Sequence, residues 1–200
     1  MHGHLTDRTP MLQPAHVGHL ALLRSLIRDG AAEGSFDREL ASDTAEAQEF
    51  FEKLKRALVT GYFVEHDPRT GKIDTVGVPG YVFWPDDRHS GMPPVGFGLF
   101  RALDQGYELW LAGLEFAKRG GGHGRALLTA LLSTPPGQKT YVVRVQRASR
   151  YMPQVSHLLE TLRFESVGDT ARLRWFLHKD APPVLASRIR GGVNARRTIN

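Results

Sequence analysis

Four glycines crowd into one six-residue run, Arg119-Gly120-Gly121-Gly122-His123-Gly124, and strongly apolar sequence flanks it on both sides. Upstream is YELWLAGLE (107–115), which reads as a strand with apolar residues on both faces. Downstream, RALLTALL (125–132) carries leucines at helical spacing, and a helix is expected over Ala126–Leu132. Each glycine inside a regular element costs about 0.5–1 kcal/mol relative to alanine, and a simple connector needs only one or two. A strand, a glycine turn and a helix start together make the geometry of an anion site. The first helical amides have no partner within the helix, and the helix dipole adds partial positive charge at the same end. Without Cβ atoms the backbone can close on a phosphate. Arg119 and Arg125 can add charge at its edge.

The remaining pattern places this turn in a mixed α/β chain. Met11–Gln13 reads as a short strand. A helix is expected from Pro14 to Gly30, and a second over Asp43–Leu58 with Asp43 as its N-cap. Strands follow at GYFVEH, VGFGLFRAL and YELWLAGLE, the last two joined by a DQG hairpin turn. After the glycines and their helix come the strand TYVVRVQR, a helix over Met152–Leu162, and the strand pair FESVGD and ARLRWFLH. Strands with helices between them imply a sheet covered on its faces.

Composition narrows the chemistry. The chain has 200 residues and no cysteine, which excludes disulfides, thiolate metal sites and cysteine nucleophiles and fits a reducing cytoplasm. No apolar run approaches membrane-spanning length, and MHGHLTDRTP is too polar for a signal peptide. The net charge of +5 sits in the C-terminal segment. Residues 181–200 hold Arg188, Arg190, Arg196 and Arg197 and no acid; setting those four aside leaves 22 basic against 21 acidic residues. Residues 181–200 are expected to be a flexible basic tail. With no aromatic residue for base stacking, they argue against nucleic acid as a partner. The nine histidines show no metal-binding spacing, and no metal is expected; His16 and His19 are expected to be solvated.

A nucleoside triphosphate site would need Lys and Ser/Thr after the last glycine, where this chain has Arg125 and Ala126. A dinucleotide site would want an acid about 20 residues on, and TPPGQKTYVVRVQR supplies none. Arg119–Gly124 instead resembles the R/Q-x-x-G-x-G/A motif of the GNAT N-acetyltransferases. The resemblance runs from about Pro10 to His178 and includes LQPA, VGFGLF, ELWLAGLE and LLETLRFESVG. It implies a GNAT fold over residues 1–180: a central, mostly antiparallel twisted sheet with helices on both faces, using acetyl-coenzyme A as co-substrate. It also implies that the amides of Gly120, Gly122, Gly124 and Arg125 hold the coenzyme diphosphate, with Gly121 and His123 completing the motif. Ala112, Gly113 and Leu114 would pair with the pantetheine arm, the Leu114 amide facing the thioester oxygen. Glu108 falls where several family members carry a general base, and Glu115 is a second candidate.

Two departures from the family are visible. The helix position that often carries a proton-donating tyrosine is Leu159, which leaves Tyr151 or Ser156 to reach the sulfur; His157 falls on the opposite face. A long stretch, 67–94, separates the expected second and third strands. With Tyr81, Phe83, Trp84, Asp86, Asp87 and His89, it reads either as a wall over the acceptor site or as an extended hairpin with a solvated tip. The expected activity is acetyl transfer to a primary amine, small or amino-acid-like, by direct attack in a ternary complex. A protein or tRNA acetyltransferase using the arginine tail, and a coenzyme A sensor without turnover, are the alternatives. A homodimer is left open.

Overall fold

A computed structural model describes residues 10–66, 71, 73–86, 91–133 and 139–197. Strand β1 (Met11–Pro14) is followed by helices α1 (Leu20–Ala32) and α2 (Ala45–Thr60). Next come β2 (Tyr62–His66), β3 (Ile73–Gly77), β4 (Gly80–Trp84), β5 (Gly96–Ala102) and β6 (Tyr107–Leu114). The rest is α3 (His123–Ser133), β7 (Thr140–Gln146), α4 (Met152–Thr161), β8 (Phe164–Asp169), β9 (Leu173–His178) and α5 (Pro183–Arg197). Seven strands form one sheet in the order β1-β4-β5-β6-β7-β9-β8, with β6 and β7 parallel and every other pair antiparallel. None of the helices among the described residues is long and apolar enough to cross a membrane.

Strand alternation assigns the helices to faces. Val82, Phe97 and Leu99 bury against Leu23, Ile27 and Leu54 of α1 and α2. Their strand neighbours Phe83 and Phe100, with Val143 and Phe176, bury against Leu127 and Leu131 of α3 and Leu159 of α4. Val142 and Leu177 alternate with Val143 and Phe176, and meet Leu185 and Val193 of α5 on the opposite side.

Several local expectations change. Pro14 does not open a helix: it ends β1, opposite Tyr81. A 3-10 turn, Val17–His19, precedes α1 instead. His16 and His19 cap it reciprocally: His16 Nδ1 accepts from the Gly18 amide at 3.1 Å, and His19 Nδ1 accepts from the His16 amide at 3.2 Å. Gly30 lies within α1, where an added Cβ would strike the Phe36 ring, so the glycine serves packing and does not end the helix. Thr44 caps α2 through the Ala47 amide at 3.1 Å. The expected cap, Asp43, binds Arg24 and Arg28.

Residues 67–94 are not one insert. β3 pairs with β2 in a separate two-stranded hairpin, whereas β4 joins the main sheet between β1 and β5. Phe83 and Trp84 are buried in β4 and Asp86 is buried just after it, and none of the three is among the residues that line the large cavity between β6 and β7. Asp87 and His89, like His2 and His4, lie outside the described residues. The 181–200 segment, expected to be flexible, contains α5, which is anchored by the buried Leu185 and Val193. Arg188 pairs with Asp104 and Arg190 with Glu165 on the protein surface.

His178 closes β9 at 7% exposure, its ring edge-on to Phe164 at 5.0 Å. Its Nδ1 accepts from the Asp180 amide at 3.1 Å. Burial, with Lys139 and Arg163 nearby, holds the imidazole below its ordinary 6.5, against the opposing pull of Asp180. A lowered native pKa gives stability that is present above 6.5 and lost as pH falls through the native value. Urea midpoints of the wild type should therefore drop between pH 7.5 and 5 more steeply than those of His178→Asn, which retains an acceptor but cannot titrate. Parallel pH profiles would refute this.

Candidate cofactor and acceptor site

The site begins with a defect in pairing. Between β5 and β6 the register slips at Leu99/Phe100, and Trp110 is the extra residue on β6. Such a bulge bends the strand that carries it. On its other edge, β6 pairs with β7 only through Tyr107, Glu108 and Leu109. Beyond the bulge the two parallel strands separate. A cavity of about 1000 Å³ opens between them, with Trp110–Leu114 on one wall and Val143–Gln146 on the other.

The β6 wall offers free backbone. The Glu115 amide donates to Val95 at 2.8 Å on the β5 side. Amides alternate along a strand, so those of Leu114 and Ala112 point into the cavity.

The glycine turn lines the same cavity through Gly120, Gly122 and Gly124. Gly120 and Gly122 have φ of 92° and 82°, a region that side-chain-bearing residues rarely adopt. A Cβ built on Gly120, Gly122 or Gly124 meets nothing within 4 Å. Helix α3 starts at His123, three residues earlier than its leucine pattern indicates. Its first backbone bond runs from the Ala126 amide to the Gly122 carbonyl at 3.1 Å. The amides of His123, Gly124 and Arg125 precede that bond and face outward, as at any helix start. Residues that leave this space open and these donors free fit a diphosphate.

The other predicted residues divide. Ala112, Gly113, Leu114, Arg119, Arg125 and Tyr151 line the cavity. Gly121 and His123 belong to the same turn without being among its lining residues. Glu108, 4% exposed, lies in the closed part of the sheet and is ion-paired with Arg144, which does line the cavity. Burial pushes the Glu108 carboxyl up, and the Arg144 and Arg101 guanidiniums pull it back only in part. Glu115 is exposed beyond the end of β6. The Ser156 hydroxyl is buried and donates to the Met152 sulfur at 3.2 Å. Leu159 is fully buried. The Tyr151 hydroxyl accepts from Arg119 at 3.2 Å and Arg150 at 2.7 Å, which together hold the phenol below its ordinary 10.0.

Sequence reasoning missed the part of the cavity wall formed by the α1–α2 connection and the start of α2. Asp37, Glu39 and Glu46 line it, with Phe50 and Trp110 edge-to-face at 5.9 Å. His157, expected on a solvated face, lines the cavity from α4. These residues lie far apart in the chain and form no motif; only the fold collects them. Among the described residues no group of three or more His, Cys, Asp or Glu is placed to hold a metal ion.

A scan against protein-family models and a search of curated proteins return no match to the sequence. Solved structures do match. The PaiA N-acetyltransferase of Thermoplasma acidophilum, in complex with coenzyme A, is 12% identical with a TM-score of 0.58 over 84% of this chain and 98% of that one. Spermidine N-acetyltransferase of Vibrio cholerae, in complex with coenzyme A and spermine, is 13% identical with a TM-score of 0.57 over 84% and 94%. The GNAT superfamily phosphinothricin acetyltransferase of Sinorhizobium meliloti, in complex with acetyl-coenzyme A, is 18% identical with a TM-score of 0.53 over 88% and 93%. Identities this low speak for architecture alone, and the architecture of this chain is the GNAT fold.

Proposed function

We propose that the protein transfers an acetyl group from acetyl-coenzyme A to a primary amine, both bound at once. One observation carries the reading: a single cavity presents the free amide edge of β6 and the bare start of α3. The glycine turn and the first α3 amides take the diphosphate. The Ala112 and Leu114 amides pair with the pantetheine arm, Leu114 facing the acyl oxygen, where a fixed donor stabilises developing negative charge. The co-substrate supplies the activated thioester.

The amine enters from the α1–α2 mouth. Asp37, Glu39 and Glu46 favour a protonated, cationic amine there, and Phe50 and Trp110 wall its path. An alkylamine with a pKa of about 10 must lose a proton before it attacks. Glu108 reaches the cavity only through Arg144, so we assign it the positioning of that guanidinium; solvent at the acidic mouth takes the proton. Tyr151, acidified by its two arginines, hands a proton to the departing sulfur in place of a tyrosine at Leu159.

Thiol release from acetyl-coenzyme A tests this across a panel of monoamines, diamines, amino acids, a lysine-rich protein and tRNA. The expected result is saturable release with small cationic amines. Coenzyme A binding with no release for any acceptor would favour a sensor, the reading that Leu159 supports, and would overturn the transfer reaction.

A further inference from the structure

Where β6 and β7 diverge, backbone hydrogen bonds no longer fix their separation. Side chains span the gap instead. Glu33, at the C-terminal end of α1, receives Arg119 from beyond β6 on one oxygen and Arg150 from beyond β7 on the other, the latter at 3.0 Å. The same two arginines converge on the Tyr151 hydroxyl. Four side chains thus close a ring across the open end of the slot. Arg119 also ties the ring to the strand: its Nε donates to the Leu114 carbonyl at 3.0 Å, on the edge of β6 that faces the cavity. Its guanidinium stacks over the Phe116 and Tyr151 rings at 5.5 and 5.2 Å. Three of its five donors are therefore taken by Leu114, Glu33 and Tyr151, none of them in the glycine turn that it precedes.

We infer that Arg119, the motif arginine, is a positioning residue and not a phosphate ligand: with Glu33 as its anchor, it holds the free edge of β6 at the distance from β7 that the pantetheine arm requires. The inference rests on the coenzyme A reading above and assigns this one side chain a different job within it. Glu33 makes the distinction sharp, because a carboxylate has nothing to offer a diphosphate and matters only through the arginines it holds.

The test compares coenzyme A with ADP, which keeps a diphosphate and lacks the pantetheine arm, both measured as inhibition constants against acetyl-coenzyme A. Glu33→Gln and Arg119→Gln should each weaken coenzyme A by about tenfold and leave ADP within about twofold, and the double variant should be no worse than either single one. Arg119→Lys keeps the charge and loses the fork, so it should behave like Arg119→Gln. It also decides the matter if Arg119→Gln does not fold. A silent Glu33→Gln, or loss of ADP and coenzyme A affinity in parallel, would overturn the inference. Failure of the wild type to bind coenzyme A would instead remove the transfer reading itself.

Discussion

Replacing Gly124 with valine is expected to remove at least half of the thermal stabilisation that coenzyme A gives the wild type while leaving the free protein as stable as before. Gly124 lies in the first turn of α3 with open space where its Cβ would be, so the side chain meets no protein atom. Valine is also a better helix residue than glycine, by up to about half a kcal/mol. The cost falls on the ligand, because the valine methyls fill the space beside the α3 amides. An affinity loss of at least tenfold, about 1.4 kcal/mol, is expected by titration calorimetry. A ligand at a hundred times its Kd raises stability by about 2.7 kcal/mol, and a tenfold weaker site would keep only about 1.4 kcal/mol of that increment at the same concentration. Gly122 is the poorer test, since its φ of 82° makes any side chain strained before a ligand is considered. An unchanged coenzyme A affinity in Gly124→Val would remove the diphosphate from this turn and the proposed reaction with it.

The second large effect concerns stability. Glu108 and Arg144 are 6% and 17% exposed at their side chains, a largely buried ion pair at the point where β6 and β7 cease to pair, with Arg144 in the cavity wall. Removing one partner of a buried pair leaves the other charge unpaired and costs about 3 kcal/mol. Glu108→Ala should therefore unfold at markedly lower urea, with a melting temperature roughly 6–12 °C below wild type for a chain of this size. Adding Arg144→Met should recover most of that loss, since Met packs against Trp175 where the guanidinium now stacks at 5.1 Å. If Glu108→Ala alone stays within about 0.5 kcal/mol of wild type, the pair has no structural weight, and Glu108 returns as a candidate base.

Strands were legible wherever apolar residues alternate between turns, and β5 with β6 and β8 with β9 follow from that pattern alone. The glycine motif was legible for the same reason that it works, since absent side chains are visible in a sequence. Helix ends were less so. The leucines of α3 mark only its buried stripe, while its first turn is Gly and His, residues whose propensity points elsewhere. α5 was hidden by Gly191, Gly192 and its arginines, because its stability comes from Leu185 and Val193 reaching a sheet that propensity cannot see. The separation of β6 from β7 was an expectation carried by the family resemblance, whereas the ring of Glu33, Arg119, Arg150 and Tyr151 was illegible, since it joins residues up to 117 positions apart.

The β2–β3 hairpin stands outside the seven-stranded sheet. Phe63, wedged against Phe50 at 5.9 Å and Trp110 at 5.3 Å, and the Arg101–Glu65 pair help to bind its inner surface to the body. Because no main-sheet strand depends on it for register, its length and outer residues are free to drift through insertion and deletion without rethreading the scaffold. Yet Phe63 leans on the bulge residue itself. Any such drift is transmitted to the cavity wall where the proposed acceptor would enter, a hinge on which the shape of that wall can turn while the glycine turn and the β6 edge stay as they are.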